Sequence, residues 1–300
     1  MKRTINRREF LRTTGAVGAG VWLGGLGAPG LSAAEAVRIS TPAAEKLGWL
    51  LAGQLYTFRQ MSFYEALDKI ASLGMKRVEP CFFLRLCKKR PKLRVNESLS
   101  PDVRKELKGK LAERGMTMPN FYANLGSDQA ACRRTFDFAR EMGVQTFVSE
   151  PPAEAFDMIE KLCEEYKINL AVHNHPKRPG SKYWSPQNVL AICKGRGKRI
   201  GACCDTGHWV RSGLDAVECL RKMKGRIITV HLKDVIESGK TDARDVPLGT
   251  GRANYAAVLK ELHAQGFQGV MSIEYEHQSP KLMDDVAACL AFVEKTAKAL

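Results

Sequence analysis

The sequence predicts an α/β chain whose strands close into a single (β/α)8 barrel, and three observations carry that prediction. From residue 49 onward, short apolar, β-rich runs alternate with amphipathic segments of ten to fifteen residues. Eight such pairs follow one another, over the roughly 250 residues typical of a closed barrel. No Gly-X-Gly-X-X-Gly turn follows the first run, where an open doubly wound sheet usually carries one.

Taken in order, strands are expected at 49–55, 77–80, 116–122, 145–150, 169–173, 200–205, 227–232 and 269–274. Most are rich in Val, Ile, Leu, Phe, Cys or Ala, as strands covered on both faces tend to be. The helices expected after them cover 62–72, 101–113, 128–142, 153–166, 185–193, 213–223, 254–265 and 284 to the C-terminus. Glycines at 74, 115, 143 and 266 stand just past helix ends.

Composition excludes disorder and small disulfide scaffolds: 300 residues with 44% hydrophobic content can bury a full core. The balance of 47 Lys and Arg against 32 Asp and Glu gives a formal charge of +15, which suits anionic ligands or solubility and says nothing about fold. Residues 1–34 read as an export signal. A charged start (Lys2, Arg3, Arg7, Arg8, Arg12) precedes an apolar stretch from Thr13 to Leu26, and Ser32-Ala33-Ala34 supplies small residues for cleavage. That stretch has 14 residues, five of them glycine, which is short of the roughly 20 a membrane span needs. Arg7-Arg8-Glu9-Phe10-Leu11 resembles a twin-arginine signal, which implies export of an already folded chain and a periplasmic address. Contact with the membrane is then confined to export, a short linker covers 35–47, and the barrel covers 48–300. The nine cysteines include no Cys-X-X-Cys pair and no zinc-type spacing, so most are expected to act as small core hydrophobes.

A closed barrel carries its chemistry where strands end and βα loops begin. The last five strand ends read Glu150, His173 with His175, Asp205 with His208, His231 with Asp234, and Glu274 with Glu276. Any one of these alone is more often a satisfied cap. Their recurrence on one rim points instead to a single divalent metal ion with mixed oxygen and nitrogen ligands, of the Mn, Co, Zn, Fe or Mg kind. The basic segment 84–99 falls in a βα loop, where it reads either as a lid attracting an anionic substrate or as a solvated loop. Trp184 and Trp209 lie near strand ends, where aromatic faces commonly stack on sugar rings.

Four segments together resemble the xylose isomerase-like TIM barrels, over about residues 48–297: Asp205-Thr206-Gly207-His208, His231-Leu232-Lys233-Asp234, Pro247-Leu248-Gly249-Thr250-Gly251 and Ile273-Glu274-Tyr275-Glu276. That family includes sugar-phosphate isomerases and epimerases, inositol-catabolism enzymes and endonuclease IV. The resemblance implies that Asp205, His231 and Glu274 hold the metal, with His208 contacting substrate or supporting the ligands. His175 and Lys233 on the same rim, with Trp184 and Trp209, are the further candidate substrate contacts. The chain departs from the pattern at strand five, which commonly ends in a glutamate segment and here reads His173-Asn174-His175. Glu150, one strand earlier, His173 or His175 is expected to fill the fourth metal position; Glu274, Glu150 and His173 are the candidate catalytic groups, with His175 a further candidate for the second base.

The expected activity is therefore a sugar isomerase or epimerase that moves a proton next to a carbonyl through an enediolate. The alternative is a lyase that eliminates a β-substituent from 3-keto-glycosides or related oxidised sugars. A non-catalytic sugar-binding barrel fits the ionisable rim less well. The expected partner is a small carbohydrate, the chain being free to form a homo-oligomer. No nucleic acid is expected, since strands two and three end in Glu79-Pro80 and Tyr122-Ala123-Asn124, without the extra histidines that endonuclease IV uses.

Overall fold

A computed structural model describes residues 38–300. The export signal expected over 1–34, with residues 35–37 of the expected linker, lies outside the described residues. Eight parallel strands form one sheet: β1 (Trp49–Gln54), β2 (Val78–Glu79), β3 (Asn120–Tyr122), β4 (Thr146–Ser149), β5 (Asn169–His173), β6 (Ile200–Asp205), β7 (Ile227–Leu232) and β8 (Gly269–Ile273). Their order is β2-β1-β8-β7-β6-β5-β4-β3. Parallel bridges Arg77↔Thr117 and Cys81↔Tyr122 join the two ends, so the sheet is a nearly closed barrel. The third strand is shorter than its sequence suggests, because Pro119 has no N–H to give a ladder. Single bonds replace regular pairing there, from Val78 N to Thr117 O at 3.0 Å and from Tyr122 N to Pro80 O at 2.9 Å.

Helices α1 (Phe63–Ser72), α2 (Pro101–Ala112), α3 (Gln129–Met142), α4 (Phe156–Tyr166), α5 (Pro186–Cys193), α6 (Ala216–Lys222), α7 (Tyr255–Ala264) and α8 (Leu282–Ala297) follow the strands in turn. Their starts are chemically marked. Ser62 and Glu65 form a capping box on α1, and the Asp128 carboxylate accepts from Ala130 N at 2.8 Å and Ala131 N at 3.1 Å on α3. Between the helices and the sheet lies a core that includes the fully buried Phe63, Phe121, Phe136, Phe147 and Phe156. All nine cysteines are free, and eight of them are buried. No helix among the described residues is long and apolar enough to cross a membrane.

Three segments differ from their expected form. The linker contains a helical turn, Pro42–Lys46, because the buried Glu294 carboxylate of α8 accepts from Ala43 N and Ala44 N, both at 3.1 Å, and satisfies donors that a helix start leaves orphaned. The basic segment 84–99 is an antiparallel hairpin, Arg85–Cys87 with Arg90–Arg94. Its charges face neighbours: Lys88 pairs with Glu65 at 2.6 Å, Arg90 with Glu106 at 2.5 Å, and Arg85 donates to Gln60 O at 3.0 Å. An anion-attracting lid is thereby disfavoured. The third segment is the turn around Asp234, expected at the reactive rim.

The carboxylate of Asp234 accepts from the backbone N–H groups of Val235, Gly249, Gly251 and Ala253, at 2.9 to 3.0 Å. The Pro247–Gly251 motif is thus a loop wrapped around a structural anchor. A Cβ at Gly251 would lie 2.3 Å from Asp234 Oδ1 and 2.5 Å from Val235 O. Gly251→Ala is expected to destabilise the barrel by about 1–3 kcal/mol through overpacking. A urea denaturation midpoint equal to that of the native chain would refute this account of the motif.

Candidate metal centre

The strand register delivers the rim residues to one point. Asp205, the last residue of β6, pairs with His231 of β7, and His231 in turn lies beside Ser272 of β8. His173 ends β5, opposite Cys203. Glu274 follows β8 directly, its N–H donating to Leu232 O at 3.2 Å. Asn174 locks the join between β5 and β6, accepting from Asp205 N and donating to Asp205 O, both at 2.9 Å.

Four side-chain atoms converge there: His173 Nε2, Asp205 Oδ2, His231 Nδ1 and Glu274 Oε2. Their residues can each offer a ligand atom within 4.8 Å of the others. All four atoms are buried and none makes a hydrogen bond of good geometry, although Lys233 Nζ stands 3.0 Å from both carboxylate oxygens. Buried polar atoms without hydrogen bonds are costly and rare, and four of them facing one point mark a candidate cation site. The set of two imidazoles and two carboxylates fits a divalent ion.

Electrostatics support the same assignment. Burial raises the carboxyls of Asp205 and Glu274, yet His208 and Lys233 for the first, and Lys233 and His231 for the second, outweigh it and hold both below the usual carboxylate range. Lys233 is wholly buried, with Nζ 3.0 Å from Asp205 Oδ2, 3.0 Å from Glu274 Oε2 and 2.7 Å from Glu276 Oε1. Gly207 makes room for it, since a Cβ there would sit 2.5 Å from Lys233 Cγ. Arg211 forms a second brace, reaching Glu276 Oε2 at 2.7 Å and Asp245 Oδ1 at 2.5 Å. Burial pushes the Asp245 carboxyl up to about 7.

Above the four atoms opens a cavity of about 940 Å³ whose lining includes Tyr56, Phe83, Tyr122, Tyr183, Glu274 and Glu276. That volume is near the top of the roughly 300–1,000 Å³ usual for small-molecule pockets. His175 and His208 also line it. His175 is 47% exposed and its Nδ1 stands 2.5 Å from Glu150 Oε1, while Tyr122 Oη donates to the same oxygen at 2.9 Å. Burial depresses the basicity of His208, with the Asp205 carboxylate opposing and the Lys233 charge adding to the effect.

Not every expected site residue joins this arrangement. Glu150 lies behind His173, its Oε1 3.4 Å from Nδ1, so it meets the ring nitrogen that the four-atom cluster does not use. With His173 and His175 it forms a separate, more open metal-competent group. Trp209 belongs to the short helix Thr206–Arg211 that starts directly at Asp205, and it is 1% exposed in the hydrophobic core. Trp184 stacks under Lys177 Nζ, 4.7 Å from its ring centre, outside the cavity lining. The aromatic wall comes instead from Tyr56, Phe83, Tyr122 and Tyr183. Sequence reasoning also missed Glu79, which is fully buried, with Oε1 2.6 Å from His231 Nε2. A charged residue ending a strand rich in apolar neighbours was the available signal.

Comparison with known proteins agrees with this fold. A protein of Parabacteroides distasonis with a solved crystal structure is 33% identical, with a TM-score of 0.66, covering 83% of this chain and 99% of its own. A D-tagatose 3-epimerase-like protein gives 0.65 at 21% identity, covering 83% and 97%. A Mycobacterium smegmatis protein solved in complex with magnesium gives 0.66 at 15% identity, covering 84% and 97%. At these lower identities the likeness is one of fold. An inosose dehydratase of Clostridium perfringens is 27% identical over 146 residues, 43% of this chain and 48% of that enzyme. The chain spans less than half the length of the curated relatives it matches. Residues 67–293 match the family described as xylose isomerase-like TIM barrel. With that match laid over a nearly closed eight-stranded barrel, the chain belongs to the xylose isomerase-like TIM barrel family.

Proposed function

We propose that this chain is a divalent-metal-dependent enzyme that moves a proton next to a carbonyl of a carbohydrate, as a sugar isomerase or epimerase does. The observation that carries the reading is the convergence of four buried atoms, from His173, Asp205, His231 and Glu274, at the edge of a large cavity that His173 and Glu274 line. An ion held by those residues supplies Lewis-acid polarisation of a carbonyl and its neighbouring hydroxyl. Two imidazoles beside two carboxylates suit Mn, Fe, Co or Zn better than Mg.

The chain's own groups handle the proton. Glu274 lines the cavity and takes the proton from the carbon next to the carbonyl, leaving an enediolate. On another wall His175 is steadied through Nδ1 by Glu150, which leaves Nε2 to exchange a proton with substrate. Tyr56, Phe83 and Tyr183 cover the apolar faces of the sugar and limit water. The periplasmic address remains part of the proposal and is carried by Arg7 and Arg8 in the expected signal.

One observation favours elimination as a second reading. Glu274 and His175 are chemically unlike, whereas returning a proton on either face of a sugar is the work of two similar bases. In elimination the carboxylate breaks the C–H bond, the electron pair forms the C=C bond, and the departing β-oxygen takes its proton from the imidazole. Oxidised sugars such as 3-keto-glycosides present that arrangement. Incubation of the Mn2+-loaded protein with D-fructose and with 3-keto-glucosides in D2O separates the readings. Deuterium in recovered sugar is the expected result, and release of the aglycone with an unsaturated sugar would transfer the function to the lyase class. Neither product, with D-fructose and the 3-keto-glucosides both bound, would leave a sugar-binding barrel.

A further inference from the structure

We propose that Glu79 is the positioning residue of the metal centre: it fixes the ring of His231 so that Nδ1 is presented to the ion and Nε2 keeps its proton. The inference rests on the metal-dependent reading above.

A neutral imidazole can coordinate through either nitrogen, and the hydrogen bond at the other nitrogen decides which. Glu79 enters the barrel from β2, which only β1 separates from the ligand strand β8, and its side chain is fully buried. Oε1 stands 2.6 Å from His231 Nε2. An ionised carboxylate only accepts, so Nε2 must be the donor. That leaves Nδ1, 3.0 Å from Glu274 Oε2 and 3.9 Å from Asp205 Oδ2, as the nitrogen facing the other ligands.

Glu79 is itself held from two further strands. Its Oε2 accepts from Ser272 Oγ of β8 at 2.6 Å and from Asn120 Nδ2 of β3 at 3.1 Å. Asn120 Nδ2 also donates to Thr229 Oγ1 of β7 at 2.9 Å, and that hydroxyl donates to Val270 O at 2.7 Å. His173 has no such support: the contact of its Nδ1 with Glu150 is 3.4 Å long and shared with His175 and Tyr122. The orientation of His231 is therefore the better specified of the two.

The test uses the full chain, stripped of metal and titrated with Zn2+ by calorimetry. E79Q is expected to bind Zn2+ about 10–100-fold more weakly, with circular dichroism and Tm showing a retained fold; an unchanged Kd would overturn the proposal. If E79Q does not fold, Ser272→Ala removes one donor to Glu79 without touching His231, and is expected to weaken Zn2+ binding roughly 2–10-fold. No change there counts equally against it. A readout that a merely structural role would not move is the 15N spectrum of the Zn2+-loaded native protein. His231 should keep a proton on Nε2 with Nδ1 bound to the ion, and a metal-bound Nε2 would refute the assignment. Failure of the native chain to bind Zn2+ at all would instead sink the metal-dependent reading itself.

Discussion

Asp205→Asn is expected to lose the bound metal and to lower turnover by roughly 10³-fold, about 4 kcal/mol of transition-state stabilisation, while the barrel stays folded. The carboxylate does two separable jobs. Oδ1 accepts from His208 N at 2.7 Å and caps the helix Thr206–Arg211, whereas Oδ2 faces His173, His231 and the Lys233 ammonium. Asparagine keeps an oxygen for the cap and turns the other position into a neutral amide, which is a poor ligand for a cation. Asp205→Ala would also lose the cap, worth about 1 kcal/mol, and so mixes the two effects. Metal content by plasma mass spectrometry together with Tm checks the prediction. A variant that retains one divalent ion per chain would show that Asp205 is not a ligand.

Lys233→Met should produce the largest loss of stability. Its ammonium is wholly buried among Asp205, Glu274 and Glu276, and removing one partner from a buried ionic cluster costs about 3–5 kcal/mol. In a domain of this size that corresponds to a fall in Tm on the order of 10 °C. The sign with pH is fixed by the carboxylates. Burial opposes ionisation of Glu274 and Glu276, but Lys233 helps to hold both below the usual range. Their contribution to stability is present above the unfolded carboxylate pKa of about 4 and is lost as pH falls toward the depressed folded values. The defect in Lys233→Met should accordingly be greatest near neutrality and shrink toward pH 4, where the stranded acids can protonate. A divalent ion replaces part of the missing charge, and at about 100 times its Kd it should restore roughly 2.7 kcal/mol. Equal Tm deficits at pH 7 and pH 4 would contradict this account of Lys233.

The barrel was legible in the sequence because its signal is repeated eight times, and β5, β6 and β7 begin and end at the residues the pattern gives. Asp205, His231 and Glu274 were legible for a related reason: polar residues ending apolar strands are conspicuous, and the barrel places every such end on one rim. Glu79 shows the limit. It also ends an apolar strand, but its partners are His231, Ser272 and Asn120, up to 193 residues away, and only the closed sheet brings them together. Trp209 failed in the opposite sense. Its nearness to a strand end suggested the cavity, yet the helix that begins at Asp205 turns it into the core. The basic hairpin stayed open between a lid and a solvated loop because composition counts charges without showing that Glu65 pairs with Lys88 and Glu106 with Arg90.

The irregular closure between β2 and β3 divides the barrel mechanically. All four atoms of the candidate centre come from the continuous arc β5 to β8 and the residue after it, where neighbouring strands pair in register. The seam, interrupted by Pro80 and Pro119, is where the sheet has least to lose by parting. Glu79 and Asn120 sit on its two lips and both reach inward to the opposite arc. The polar bolt beneath His231 thus also latches the weakest joint, so a loosening of the seam would be felt as a change in ligand orientation before any ligand strand moved. In such a barrel the closure of the fold and the tuning of the ion are one property.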